Sequence, residues 1–192
     1  MGIIKVNYKG KEYQAEQGKR AIEILKEAET ETSAFLVASI NGKFIDLGTQ
    51  LNEGGELKAF TFEDAEGKQA FWHSTSHIMA AAVKRLYPGT KVTIGPSIEE
   101  GFYYDFDRDV NFTDEDLLKI EEEMAKVIKE NAGFSRQEIS KKDAVKMFSD
   151  MGENYKVEII EAINDDTVST YTTAGFTDLC RGPHIGLAKK IK

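Results

Sequence analysis

The sequence predicts an α+β chain in two parts, a small mixed domain over residues 1–62 and a larger α+β domain over residues 63–192. Three observations carry this. The first sixty residues place short apolar runs around glycine-containing turns and one amphipathic stretch. A polar segment, Phe62–Gly67, then interrupts the pattern and reads as a linker. Beyond it, long helical periodicities alternate with short strand-like runs.

In chain order, Ile3–Tyr8 and Glu12–Ala15 read as strands around a turn at Lys9-Gly10. Arg20–Ala28 is a helix with Ile22, Leu25 and Ala28 on one side. Phe35–Ile40 is an apolar strand, Asn41-Gly42 is a strong tight-hairpin signal, and Lys43–Leu47 pairs back. Glu56–Thr61 supplies a closing strand. The order β-β-α-β-β-β suits a β-grasp (ubiquitin-like) fold, in which one helix covers a mixed sheet.

In the second part a helix is expected from about Lys68 to Leu86, stopped by Tyr87-Pro88-Gly89. Lys91–Ile98 and Phe102–Phe106 look like strands around Glu99-Glu100-Gly101. Thr113 with Asp116 forms a capping-box signature for a helix reaching about Asn131. Ser140 with Asp143 repeats it for a helix ending at Gly152. Tyr155–Ile163 suits strand or helix and is assigned as helix. Val168–Thr173 and Phe176–Cys180 read as strands, followed by the loop Arg181-Gly182-Pro183-His184.

Composition narrows the class. The formal charge of −8 disfavours a chain that grips nucleic acid by phosphate contacts alone. Twelve basic and eighteen acidic side chains fall in residues 63–150, many between Asp105 and Glu123, and read as a solvated acidic face. Any affinity for RNA must come from other domains or from the shape of one nucleotide end. No segment has the apolar length of a membrane span, and the start, MGIIKVNYKGKEYQ, lacks a signal-peptide core. A single cysteine excludes an internal disulfide framework and fits a reducing cytoplasm, the expected location.

The chemistry is concentrated. All three histidines and the only cysteine fall in two short motifs, His73-Ser74-Thr75-Ser76-His77 and Cys180-Arg181-Gly182-Pro183-His184. On a helix, His73 and His77 lie about 40° apart around the axis and point the same way. Ala70, Ala80 and Ala81 flank that face, while Trp72, Met79, Val83 and Leu86 form a heavier stripe about a quarter turn away. A lone histidine is more often structural than functional. Four such residues confined to two clusters point instead to a site. Two chemistries fit: three imidazoles and a thiolate holding zinc tetrahedrally, or imidazoles that position and deprotonate water without metal.

HSTSH and TDLCRGPH, with IGPSIEEGFYYDFD and NYKVEII between them, closely resemble the editing domain shared by threonyl- and alanyl-tRNA synthetases, from about Phe71 to His184. The preceding sixty residues resemble a TGS domain, the β-grasp module placed before this editing domain in bacterial threonyl enzymes. Alanyl enzymes lack that module, so the domain order selects the threonyl member, and the chain looks like the amino-terminal region of such an enzyme.

The resemblance implies editing-site roles for His73, His77, Cys180 and His184, and substrate-binding roles for Tyr104, Lys156 and Asp178. Asp178 and Cys180 would share a strand face. It implies hydrolysis of the ester in mischarged seryl-tRNA of threonine identity, the partner being the acceptor end of that tRNA. Near neutral pH imidazole suits the acid and base roles, and the terminal base would stack on an aromatic such as Tyr104. Cys180 is assigned to substrate contact and pocket shape rather than to covalent catalysis. No cofactor is expected for editing, with zinc as the alternative; ATP and a zinc ion belong to the catalytic body that family members carry further on, together with an anticodon-binding domain. That body is absent here, so no synthetase activity is expected, and the homodimer of the full-length enzyme would form through absent domains. A zinc-dependent deacylase of alanyl type, and a non-catalytic module whose TGS part binds a partner, are the competing readings. The expected architecture is a β-grasp domain followed by an editing domain whose long helix lies along a sheet.

Overall fold

In the computed structural model, which describes residues 2–191, the chain forms two compact units. One comprises Met1–Phe71 with Gly182–Gly186, and the other Trp72–Arg181 with Leu187–Lys192. The fold is α+β, as the sequence predicts.

The first unit is built from β1 (Ile3–Tyr8), β2 (Lys11–Glu16), α1 (Ala21–Ala28), β3 (Val37–Ile40), β4 (Lys43–Asp46) and β5 (Gly55–Phe60). The two hairpins close on two-residue turns in which both positions have positive φ: Lys9 51° and Gly10 77°, Asn41 51° and Gly42 79°. Such turns match the natural twist of paired strands. β5 lies between them, parallel to β1 and antiparallel to β3, so the sheet order is β2-β1-β5-β3-β4. α1 buries Ile24 and Leu25 among Val6, Ala38 and Leu57, the β-grasp arrangement in which one helix fills one face of a mixed sheet.

The helix α2 (Ala65–Leu86) begins three residues before the expected start. Asp64 explains the difference. Its Oδ2 accepts the backbone N–H of Thr61 at 2.7 Å and the Thr61 hydroxyl at 3.0 Å, and its carbonyl accepts from the Lys68 N–H at 2.9 Å. Residues read from composition as a linker are thus a helix start and its first turn.

The second unit continues with β6 (Lys91–Val92), β7 (Ser97–Ile98), β8 (Gly101–Phe102), β9 (Phe106–Asp107), α3 (Asp114–Glu130), β10 (Ser135–Ser140), α4 (Lys141–Asp150), α5 (Asn154–Ala162), β11 (Thr167–Thr173) and β12 (Phe176–Leu179). The expected strand over Lys91–Ile98 is two short pieces, β6 pairing with β9 and β7 with β8. Pro96 has no N–H to give a ladder, and the Gly95 carbonyl is turned out of it. The capping box of α3 forms in both directions between Thr113 and Asp116, and Tyr155–Ile163 is largely helical. β10, which the sequence reading leaves unassigned, is the edge of an antiparallel sheet ordered β10-β11-β12. α2 packs onto this unit through Ala80 and Ala81, which meet Val92, Tyr104 and Phe176. Among the described residues no helix is long and apolar enough to cross a membrane.

Ile24 is fully buried beneath the first sheet. Its replacement by alanine is expected to cost about 2–5 kcal/mol, the range for a buried branched side chain. Urea unfolding would register this as a lower midpoint with an unchanged slope, and a loss below about 1 kcal/mol would contradict the packing described.

Candidate active site

The site rests on a match between two repeats. Four residues of helix advance about 6.0 Å along the axis, and two residues of strand advance about 6.7 Å. Along β12 and its continuation, Phe176, Asp178 and Cys180 are buried on one face while Thr177 and Leu179 are less so. On α2, His73 and His77 are one turn apart, with Ala80 and Ala81 one turn further. The two series meet rung by rung. His73 Nε2 lies 3.0 Å from Cys180 Sγ, His77 Nε2 lies 3.8 Å from Asp178 Oδ2, and Ala80 and Ala81 pack on Phe176. The two imidazoles sit edge to face with ring centroids 4.9 Å apart.

Small residues make this approach feasible. Ser74, Thr75, Ser76, Ala80, Ala81 and Ala82 are all buried on α2. Cys180 is held by the backbone at the end of β12: its N–H donates to the Ser169 carbonyl at 3.0 Å, and the Ser169 hydroxyl donates to the Cys180 carbonyl at 2.6 Å.

Asp178 organises the rest. Its Oδ1 pairs with the Lys156 ammonium at 2.7 Å, both side chains being about 3% exposed. Its Oδ2 accepts from the Tyr104 hydroxyl at 2.7 Å. Lys156 lies in the first turn of α5 and also donates to the Thr93 carbonyl. Tyr104 is stacked on Phe106, with centroids 4.8 Å apart, and Lys156 Nζ stands 5.8 Å from its ring centre. The ring is buried and committed to these contacts, so the base stacking suggested from sequence meets no open face there.

The structure therefore brings His73, His77, Tyr104, Lys156, Asp178 and Cys180 together. His184 lies in the segment Gly182–Gly186 of the first unit; it is buried, and its backbone N–H donates to Asp46 Oδ1 at 2.7 Å. Two neighbours were not singled out in the sequence. The Ser76 hydroxyl lies 2.8 Å from the His73 carbonyl and 2.9 Å from the Gly95 carbonyl. That Gly95 carbonyl also faces His73 Nδ1 at 3.4 Å. Gly95 stood inside the IGPSIEEGFYYDFD motif, and this was its only sequence signal.

Burial sets the protonation. Desolvation depresses the pKa of His73 against the opposing pull of the Gly95 carbonyl and Asp178. His77 is pushed down to about 3, chiefly by burial, with Asp178 opposing and His73 and Lys156 adding to the depression. Both imidazoles are neutral at pH 7. Tyr104 is driven far above the usual phenol range, first by burial and then by the Asp178 charge, so it remains a donor. One donor atom from each of His73, His77 and Cys180 lies within 4.8 Å of the others, a set of types and separations that zinc accepts.

An unfolded histidine takes up its proton near pH 6.5, whereas folded His77 does so only near pH 3. Between those values the unfolded state holds the extra proton, so stability falls as pH is lowered, with His77 contributing up to ~1.4 kcal/mol per pH unit. Urea unfolding at several pH values across this window is expected to show a shallower decline for His77→Gln than for the parent. Parallel slopes would contradict the burial described.

No protein-family model matches the chain. Among curated proteins it is 52% identical over 151 residues to the threonine–tRNA ligase of Carboxydothermus hydrogenoformans, covering 78% of this chain and 24% of that protein. To the threonine–tRNA ligase of Porphyromonas gingivalis it is 49% identical over 162 residues, 82% of this chain and 25% of the relative. The match to the threonine–tRNA ligase of Caldanaerobacter subterraneus subsp. tengcongensis extends over 188 residues at 45% identity, 95% of this chain and 29% of the relative. The chain spans about a quarter of the length of the curated relatives it matches. By sequence, these residues belong with the threonine–tRNA ligases.

Proposed function

We propose that this chain is the editing part of a threonine–tRNA ligase and hydrolyses the ester that joins serine, wrongly attached, to threonine tRNA. The observation that carries the reading is the buried network of His73, His77, Cys180, Asp178, Lys156 and Tyr104, in which residues of the two histidine-containing motifs meet residues of the segments between them. The relatives' name states a ligase acting on tRNA; ligation itself is not ascribed to these residues.

The chemistry follows from the groups present. Serine lacks one methyl of threonine, and a methyl-sized difference is worth only about 1–3 kcal/mol in a binding pocket, so a second, hydrolytic selection is needed. The editing pocket must admit serine and clash with the threonine methyl. Ester hydrolysis requires a placed water, a base, stabilisation of the developing oxyanion and a proton for the departing ribose oxygen. His73, kept neutral by burial, takes the water's proton and later returns one to the ribose. Lys156, paired with Asp178, stabilises negative charge as it develops on the carbonyl oxygen. Cys180 shapes the pocket wall and contacts substrate. His184 keeps the editing role that the resemblance of its own motif, CRGPH, implies. The partner is the acceptor end of threonine tRNA.

A covalent role for Cys180 is not needed. An aminoacyl ester is already activated, so a positioned water with general-base help suffices, and an acyl-enzyme would add a second hydrolysis without easing the first. The chain is expected to release serine from seryl-tRNA of threonine identity and to spare threonyl-tRNA. Cys180→Ala is expected to retain measurable release, and His73→Ala to lose about 10²–10⁴-fold. Equal release of serine and threonine, or serine found covalently on Cys180 after an early quench, would overturn these assignments.

A zinc-dependent hydrolysis is the second reading, favoured by the closeness of the His73, His77 and Cys180 donor atoms. There those residues would hold the ion, which would supply an activated water. Metal analysis of untagged protein decides between them. The metal-free reading predicts no stoichiometric zinc and no loss of activity to a chelator, and zinc-restored activity after chelation would reverse the choice.

A further inference from the structure

A neutral imidazole carries one N–H, and the nitrogen that carries it decides which nitrogen can accept a proton. At His73 the two nitrogens face different surroundings. Nδ1 looks at the Gly95 carbonyl, which can only accept. Nε2 looks at Cys180 Sγ. The hydrogen bond to Gly95 therefore exists only when the proton is on Nδ1, leaving the Nε2 lone pair towards Cys180.

That arrangement is worth little unless the carbonyl is fixed, and Ser76 fixes it. The buried Ser76 hydroxyl lies within hydrogen-bond distance of two carbonyls, that of His73 on its own helix and that of Gly95 across from it. The result is a closed loop: His73 main chain, Ser76 hydroxyl, Gly95 carbonyl, His73 ring. Tyr104 packs against the Cα of Gly95. A Cβ at residue 95 would lie 2.1 Å from Tyr104 Cδ2 and 2.4 Å from Cε2, so the peptide rests directly on that ring. The ring in turn is held by Asp178 and Phe106. Gly95 is thus held at its carbonyl by a hydroxyl and at its Cα by a ring that is itself fixed.

We propose that Ser76 is a positioning residue: by holding the Gly95 carbonyl against Nδ1 it sets the His73 tautomer and keeps the lone pair on Nε2. A solvated neutral histidine prefers its proton on Nε2, so without the clamp the lone pair turns to the wrong nitrogen. This deepens the editing reading, on which its catalytic consequence rests, while the tautomer itself is a property of the chain alone.

The experiment uses the full chain labelled with ¹⁵N, reading the ring nitrogens of His73 at neutral pH, beside serine release from seryl-tRNA of threonine identity. The unsubstituted chain is expected to show His73 with its proton on Nδ1. Ser76→Ala should move it towards the Nε2–H form and slow release by about 10–100-fold, by analogy with loss of the outer hydrogen bond that orients a metal-bound imidazole, with KM little changed. Ser76→Thr, which keeps the hydroxyl, should restore both. Finding Nε2–H in the unsubstituted chain, or an unchanged tautomer in Ser76→Ala, would overturn the proposal. If Ser76→Ala does not fold, the tautomer of the unsubstituted chain and its retention in Ser76→Thr decide the matter. Serine release absent from the unsubstituted chain would defeat the editing reading and leave the tautomer result standing.

Discussion

One carboxylate holds the second unit's centre together. Asp178 on β12 reaches Lys156 on α5 through one oxygen, and Tyr104 of the segment before β9 through the other, with His77 of α2 close by. Burying two opposite charges is costly unless their geometry is good and their remaining hydrogen bonds are met. Here Lys156 also donates to Thr93, and Asp178 also accepts from Tyr104. Breaking the pair by removing one partner would leave the other charge buried without compensation.

The same carboxylate explains why two histidines one turn apart behave differently. His77 is deeper and lies beside both Asp178 and Lys156, whose fields partly cancel, so desolvation dominates. His73 is less buried, touches the thiol and the Gly95 carbonyl, and feels Asp178 at longer range. In the proposed reaction the outer histidine handles protons, and the inner one packs against the ion pair.

How much of this was legible in the sequence depended on what each element relies on. Turns at Asn41-Gly42 and the capping box at Thr113 were legible because their residues make the local structure themselves. The histidine helix and the Asp178–Cys180 face were legible because periodicity decides them. β10 was not: its residues, SRQEIS, hold one apolar side chain, and its place comes from backbone pairing with β11. Lys156 could be placed in a motif, but its burial could not be read, because the carboxylate that makes it tolerable lies on a strand far along the chain. Ser76 and Gly95 act through one carbonyl, which leaves no trace in side-chain pattern.

The rung-by-rung meeting of α2 and β12 makes length, as well as identity, a constrained quantity. One residue inserted between His73 and His77 would swing the second imidazole by about 100° around the helix. One residue inserted between Asp178 and Cys180 would send the thiol to the opposite face of the sheet. Only a full turn of helix matched by two residues of strand would restore the meeting. Length is fixed here as firmly as side-chain identity, so insertions and deletions in relatives of this chain belong in connections such as Ile163–Asp166 and Arg108–Phe112, away from the two repeats.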